Sequence, residues 1–310
     1  MKTINRIFFG IIGIALFPLT LLLAIVLTGK LEATRKQERE DLFEQEEEQF
    51  TEMKIKLKAT ADPKKAEVFK IDTDFGQTEL VRWNKKNKKV VVFVHGVMCD
   101  KMTSAKAVKL WSDNGYDVVS FDGYGWGTTR QYGLITKYAG KKQAKLLDDV
   151  INAVLKKYKL KEVMLHGESM GGGTIYRYVQ KYGTSKLEKI VSDAGFLSFY
   201  ENIRYLAAEV VTTPVSYMVA PVMWIPFLFK GYPIRRQISK STLANMDKEL
   251  LHIHSTDDIR VPYPYIKGEV KNFKGKSKIF FYKKDVRHVR GYYDSPKELE
   301  KAIKDFVKNK

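Results

Sequence analysis

Hydrophobic and polar positions divide the chain into three parts. In the first, residues 7–28 read IFFGIIGIALFPLTLLLAIVLT without a single charge. At about 1.5 Å per helical residue this run can cross a bilayer core of about 30 Å, and it is longer than the apolar region of about 7–15 residues in a cleaved signal peptide. We therefore predict that residues 1–30 form an uncleaved transmembrane signal-anchor, with a cleaved signal as the alternative.

The second part, residues 31–60, contains many charged helix formers and few large apolar residues. This composition predicts a helical stalk that is exposed to solvent. Basic residues lie on both sides of the apolar run, so the positive-inside rule does not decide its direction. The short N-terminal tail favours an inside N-terminus, a single pass through the cell membrane and an extracellular position for the rest of the chain.

The third part, residues 61–310, alternates short β-rich runs with segments of helix length. Eight candidate strands share this character: EVFKI, TELVRW, KVVVFVHG, YDVVSFD, EVMLHG, KIVSDA, LLHIHS and KIFFYK. Near-continuous apolar strands that alternate with helices are typical of a mostly parallel sheet with helices on both faces. The expected fold class is therefore α/β.

Between about residues 197 and 240 this alternation stops. Pro214, Pro221 and Pro226 argue against a second straight membrane helix in this apolar segment. The pattern predicts a small helical cap inserted into the α/β domain. Two interpretations stay open: a cap that only packs on the core, or an apolar lid over a site that also touches the bilayer.

Composition narrows the possible partners. The chain carries a formal net charge of +18, but its lysines are spread over many segments and no nucleic-acid motif is present. Nucleic acid is therefore not expected as a partner, whereas a general attraction to anionic surfaces such as lipid headgroups is. The only cysteine, Cys99, excludes an internal disulfide and a CxxC site. Nothing in the sequence indicates the oligomeric state.

The stretch GESMGGGT, residues 167–174, resembles two motifs. As a phosphate-binding loop, G-x-x-x-x-G-K-[ST], it lacks the lysine, because Gly173 stands in that position. As G-x-S-x-G, it is complete from Gly167 to Gly171, with a β-rich run before it and a helical pattern after it. Small residues on each side allow the sharp turn on which a nucleophile is exposed. Ser169 is thus the candidate nucleophile.

A serine nucleophile requires a base and an acid. Four of the five histidines lie in or beside predicted strands and are interpreted as structural, whereas His288 follows the last strand in a polar loop. Asp257 and Asp258 follow the strand before it. The chain order serine, aspartate, histidine is the order expected for G-x-S-x-G.

The developing negative charge in such a reaction needs main-chain N–H donors. Met170, directly after the candidate nucleophile, supplies one. The turn after KVVVFVHG supplies the other, for which we assign Val97, with Gly96 allowing close approach of the backbone and Met98 as the alternative.

Together these motifs resemble the α/β-hydrolase superfamily, and more narrowly its serine aminopeptidase-like branch with membrane-anchored single-domain members from Gram-positive bacteria. The resemblance covers residues 67–307 and depends on VVFVHGV, FDGYGWGTT, LHGESMGG, IHSTDDIRVP and His288 taken together. In that family the acid is followed by x-x-Val-Pro, which selects Asp258 over Asp257.

Three positions depart from the family pattern. Tyr124 and Trp126 stand where the family often has Arg and His, and Arg287 precedes the base where Gly is common. These departures concern substrate preference rather than the reacting residues.

The resemblance implies a carboxylesterase-like hydrolase, with helices on both sheet faces and a cap. Ser169, Asp258 and His288 would form a triad, Met170 and Val97 the oxyanion hole, and Gly167 and Gly171 the nucleophile elbow. No metal or organic cofactor is implied, and the expected partner is a small or lipid-like acyl substrate. Two alternatives remain: a peptidase or amidase, and a non-catalytic scaffold of the same fold that binds at the membrane.

Overall fold

The structure, a computed structural model, describes most of the third part of the chain. The described residues are 66–97, 99–127, 129, 140–210, 212–229, 238–239, 241–242, 246–273, 276–283 and 285–308. Within residues 1–65 only positions 18–19, 21–23 and 26 are described, all of them helical. The predicted stalk and all but these six positions of the predicted signal-anchor therefore lie outside the described residues. No described helix is long and apolar enough to span a membrane.

Eight strands form one sheet. They are β1 (Glu67–Thr73), β2 (Gly76–Arg82), β3 (Lys89–Val94), β4 (Tyr116–Phe121), β5 (Val163–Glu168), β6 (Leu187–Asp193), β7 (Glu249–Ser255) and β8 (Ser277–Tyr282). Their spatial order is β1-β2-β4-β3-β5-β6-β7-β8. Strands β3 to β8 are parallel, while β2 runs antiparallel to both β1 and β4. The prediction of a mostly parallel sheet is confirmed.

The described helices follow the strands in alternation. They are α1 (Ala105–Asp113), α2 (Lys141–Tyr158), α3 (Met170–Tyr182), α4 (Phe199–Val210), α5 (Thr213–Phe229), α6 (Tyr263–Glu269), α7 (Gly291–Asp294) and α8 (Pro296–Lys308). Short 3₁₀ turns at Lys101–Ser104 and Val270–Asn272 precede α1 and follow α6.

The sheet is covered on both faces because alternate side chains of its strands point in opposite directions. On β3, Val90 and Val92 belong to one apolar cluster, together with residues of α2 and α3. Val91 and Phe93 belong to the other, together with residues of α1 and α8. Strands buried on both faces must be apolar at every position, which explains the near-continuous hydrophobic runs in the sequence.

The described chain divides into two compact units. Among the described elements, the larger unit contains the whole sheet with α1 to α3 and α6 to α8, and the smaller contains α4 and α5. Inside the smaller unit, the Arg204 guanidinium pairs with Glu201 at 2.8 Å and lies over the rings of Tyr205 and Tyr217. Each charge of this buried pair is thereby matched within the unit.

Candidate active site

Ser169 stands on the turn between β5 and α3. Its backbone angles, φ 51° and ψ −111°, lie where side chains other than glycine are strained, so the surrounding structure must hold them. The N–H of Ser169 donates to the main-chain oxygen of Asp193 at 2.7 Å, and the main-chain oxygen of Ser169 accepts the N–H of Gly173 at 3.1 Å. These bonds connect the turn to the end of β6 and to the first turn of α3.

The glycines around Ser169 are required by close backbone contacts. A Cβ on Gly171 would overlap the carbonyl oxygen of Val94, and one on Gly167 would lie 2.6 Å from the carbonyl of Gly171. At Gly172 it would lie 2.7 Å from the Cα of Gly195. The turn therefore packs against β3 and against the residues after β6 at distances that exclude any side chain.

His288 and Asp258 meet Ser169 although they come from distant loops. The Oγ of Ser169 lies 2.9 Å from Nε2 of His288, whose Nδ1 lies 2.7 Å from Oδ2 of Asp258. Because the carboxylate accepts from Nδ1, that nitrogen carries the proton and Nε2 accepts from the serine hydroxyl. Serine and aspartate are almost fully buried, and the histidine side chain is 11% exposed.

Asp258 is held by its own loop. Its Oδ1 accepts the N–H groups of Arg260 at 2.9 Å and Val261 at 2.8 Å. Burial by itself would raise the pKa of the Asp258 carboxyl, but the charge and hydrogen bond of His288, with smaller contributions from His254 and the Val261 N–H, lower it below its usual range. The carboxylate is therefore ionised and aligned with the imidazole.

Asp257, the neighbouring carboxylate, is used differently. Its Oδ2 accepts the main-chain N–H of Asp285 at 2.7 Å, and its own N–H donates to the hydroxyl of Ser255. These contacts join the loops after β7 and β8. The structure thus places Asp258, and not Asp257, against His288.

The turn after β3 passes beside the serine. A Cβ on Gly96 would lie 3.6 Å from the Cβ of Ser169, so the backbone that leads to Val97 runs next to the hydroxyl. Met170 begins α3 and is buried, and Val97 is half-buried. Met98, the alternative donor, lies outside the described residues.

His95 holds this turn in place. Its Nε2 accepts the N–H of Gly123 at 2.8 Å, so Nδ1 carries the proton and donates to the oxygen of Gly96 at 2.7 Å. Burial lowers the pKa of the His95 imidazole, which keeps the ring neutral. The residue interpreted as structural from sequence thus links the turns after β3 and β4.

Behind the serine lies a set of buried ionisable groups that the sequence analysis missed. Lys106 of α1 forms an ion pair with Glu168, the residue before Ser169, at 2.8 Å. Asp193 at the end of β6 and His166 in β5 are fully buried nearby. One feature of the sequence could have indicated this set: Glu168 stands at the end of an apolar strand. A carboxylate in such a place is buried and therefore requires a buried partner.

Three of these side chains, those of His166, Glu168 and Asp193, have ligand atoms within 4.8 Å of one another. Their hydrogen bonds do not suit a metal ion. Nε1 of Trp111 donates to Nδ1 of His166 at 3.0 Å, so the proton of the neutral ring is on Nε2, the nitrogen a metal would need. Lys106 already compensates the charge of Glu168.

The sheet order, its helices on both faces and a serine on the sharp turn after the fifth strand define an α/β-hydrolase fold. A family model described as serine aminopeptidase, S33, matches residues 85–258, more than half of the chain. The chain belongs to this family. The match ends at Asp258, so His288 lies beyond it.

The chain is similar to other proteins in sequence and in structure. YqkD, an uncharacterized protein of Bacillus subtilis strain 168, is 25% identical over 231 residues, which is 71% of each chain. The esterase Pf2001 of Pyrococcus furiosus superposes with a TM-score of 0.59 at 16% identity, over 78% of this chain and 92% of its own. The naproxen esterase (carboxylesterase NP) of Bacillus subtilis gives a TM-score of 0.55 at 15% identity, over 78% and 91%. At these identities the structural similarity shows the fold alone.

Proposed function

We propose that this chain is a serine hydrolase that cleaves carboxylic esters through an acyl-enzyme. The proposal depends on one observation: the continuous contact from the Ser169 hydroxyl through both nitrogens of His288 to Asp258. A strained, glycine-flanked serine that donates to a carboxylate-oriented imidazole is the arrangement needed for nucleophilic attack.

In the first half-reaction, Oγ of Ser169 attacks the ester carbonyl carbon while Nε2 of His288 takes the hydroxyl proton. Asp258 holds Nδ1–H and stabilises the imidazolium. The carbonyl π electrons move to oxygen and return as the bond to the alcohol breaks, and the imidazolium protonates the leaving alcohol. Water, deprotonated by the same nitrogen, then attacks the acyl-serine. The bond from the acyl carbon to Oγ breaks, the imidazolium returns its proton to Oγ, and the acid is released.

Main-chain donors stabilise the negative oxygen of each tetrahedral intermediate in this proposal. The proposed donors are the Met170 N–H at the start of α3 and the Val97 N–H in the turn held by His95. Each such donor accounts for about 2.7–4 kcal/mol of the barrier.

Two substrate classes fit this machinery. The esterase names of the structurally similar proteins support an ester, and the family description supports a peptidase or amidase. A series of p-nitrophenyl esters of increasing chain length, compared with aminoacyl anilides, separates them. We expect the esters to be cleaved with the higher kcat/KM, and the reverse order would assign the chain to the amidase alternative.

Labelling with a fluorophosphonate probe tests the catalytic proposal itself. We expect the folded protein to take the label and Ser169→Ala to take none. Ser192→Ala is the matched control, because Ser192 is fully buried on β6 in register with Gly167 and should leave labelling intact. A folded wild-type protein without label would instead indicate a non-catalytic scaffold, and equal labelling of Ser169→Ala would refute Ser169 as the nucleophile.

We also propose that residues 7–28 anchor the enzyme in the cell membrane, with the hydrolase domain outside and a lipid-like acyl substrate within reach. The support is the uncharged 22-residue run, which matches the bilayer core. Full-length protein in a bacterial host should stay in the membrane after alkaline carbonate extraction and be cleaved by protease added to intact cells. Release by carbonate contradicts the anchor, and protection from protease contradicts the orientation.

A further inference from the structure

The turn that carries Ser169 is bounded by two buried carboxylates. Glu168 precedes the serine directly, and the main-chain oxygen of Asp193 accepts its N–H at 2.7 Å. The two carboxylates are register partners at the ends of β5 and β6. The two residues that carry these carboxylates are therefore joined directly to the main chain of Ser169, Glu168 by a peptide bond and Asp193 by a hydrogen bond.

Only one cation faces these carboxylates among the described residues. Lys106 reaches Glu168 at 2.8 Å, and its ammonium lies 5.2 Å from the ring centre of Tyr292. The lysine side chain is 14% exposed and that of Glu168 is 3% exposed, so water contributes little to either charge. This ion pair is buried and is weakly screened by salt.

The other polar groups in this region are neutral. His166 carries its proton on Nε2 because Trp111 donates to Nδ1, and that N–H has no hydrogen-bond acceptor in the described part of the chain. Burial raises the pKa of the Tyr282 and Tyr292 hydroxyls, so they stay protonated.

From the side of the triad, the charge of Asp258 raises the pKa of Asp193 and that of His288 lowers the pKa of Glu168. Among the described residues, Lys106 is the cation that forms an ion pair with either carboxylate.

The two carboxylates lie close enough to interact, with oxygen atoms within 4.8 Å of each other. Burial, together with the charge of Glu168, holds the pKa of Asp193 well above its usual range, and burial also raises the pKa of Glu168 despite the opposing charge of Lys106. Burial and the mutual repulsion of the two groups are opposed by Lys106, the cation that contacts Glu168. Without Lys106 the two carboxyl groups would have to move apart or take up a proton.

We propose that Lys106 is a positioning residue: through Glu168 and Asp193 it holds the backbone of Ser169 in the geometry needed for attack. This inference rests on the proposed hydrolase function. Lys106 does not contact the reacting atoms. Its effect is to keep Ser169 at the strained backbone angle φ 51°. Such a conformation persists only when contacts with the surrounding structure hold it in place.

The test compares kcat and KM per fluorophosphonate-labelled site in full-length variants. Lys106→Met should lower kcat about 10²-fold, the loss typical of a displacement of about 1 Å in a reacting group, with KM almost unchanged. Lys106→Arg should retain more activity because it keeps the charge. Lys109→Met on the same helix is the matched control, since Lys109 pairs only with exposed Asp113, and it should match the wild type.

A second-site variant separates positioning from general stability. Lys106→Met combined with Glu168→Gln should recover most of the lost kcat, because the charge that requires the ammonium is then gone. Unchanged kcat in Lys106→Met, a change confined to KM, or a double variant no better than the single one would overturn the inference while leaving the hydrolase proposal intact. Wild-type protein that neither labels nor hydrolyses esters would overturn both. Stoichiometric metal in the purified protein would overturn the inference alone.

Discussion

The Nδ1 atom of His288 lies 2.7 Å from Oδ2 of Asp258, the only carboxylate among the described residues that accepts a hydrogen bond from that ring. Asp258→Asn should therefore lower kcat about 10⁴-fold, because an amide can present its donor to Nδ1 and stabilise the wrong tautomer. Asp257→Asn should cost less than about tenfold, since Asp257 contacts only the main chain of Asp285 and its own loop. Steady-state kinetics of both variants checks this, and the reverse ranking would refute the assignment.

Replacing Gly171 by alanine should destabilise the fold. The added methyl would overlap the carbonyl oxygen of Val94, and overpacking of this kind lowers the free energy of unfolding by about 3 kcal/mol. Gly268→Ala is the matched control, because nothing lies within 4 Å of its added Cβ and the residue is helical. We expect that control to be neutral or to stabilise by up to about 1 kcal/mol. Urea unfolding measures both, and equal midpoints would contradict the packing argument.

Acid should destabilise the protein partly through His166. Burial and then the charge of Lys106 lower the pKa of this imidazole from 6.5 to about 3. Between those pH values the unfolded chain binds a proton that the folded chain does not, so the free energy of unfolding falls as pH falls, by about 1.4 kcal/mol per pH unit from this group. At pH above 6.5 the contribution is fully present.

The variant His166→Asn isolates that contribution. Its side-chain oxygen can still accept from Trp111, but it cannot bind the proton. Unfolding measured from pH 7 to pH 4 should show a shallower decline in the variant than in the wild type. Identical slopes would mean that His166 is protonated in the folded protein.

The turn after β3 can be tested for its role at the oxyanion. Val97→Pro removes the main-chain N–H, so kcat should fall about 10²-fold or more. Val97→Ala keeps the N–H and should stay within about tenfold of the wild type. Circular dichroism establishes that both variants are folded. If the two variants had equal kcat values, the donor would have to be another residue, with Met98 the alternative.

Much of the fold could be predicted from pattern alone. All eight predicted strands are present, with ends that differ by at most two residues, because strands buried on both faces leave an unbroken apolar run. The antiparallel direction of β2 relative to β4 could not be predicted. That direction depends on which edge of the sheet the hairpin of β1 and β2 joins. The local pattern of apolar and polar residues contains no information about this long-range pairing.

Some residues of the candidate site could be predicted from the sequence and others could not. Ser169 was predictable because its elbow requires Gly167 and Gly171 at fixed positions along the chain. Lys106 and Asp193 were not, since an ordinary lysine on an amphipathic helix and an aspartate after a strand resemble surface residues. Only packing shows that both side chains are buried beside Glu168.

By itself, then, the sequence determined the fold class, the strands and the elbow, because these depend on local periodicity and on glycines within a few residues of each other. The tertiary structure decided which aspartate orients His288 and which cation balances Glu168. Those contacts join residues 30 and 62 positions apart, and they form only because parallel strands end at one edge of the sheet and α1 packs against its face. Short-range pattern determines the elements, but only their assembly brings the reacting and balancing charges together.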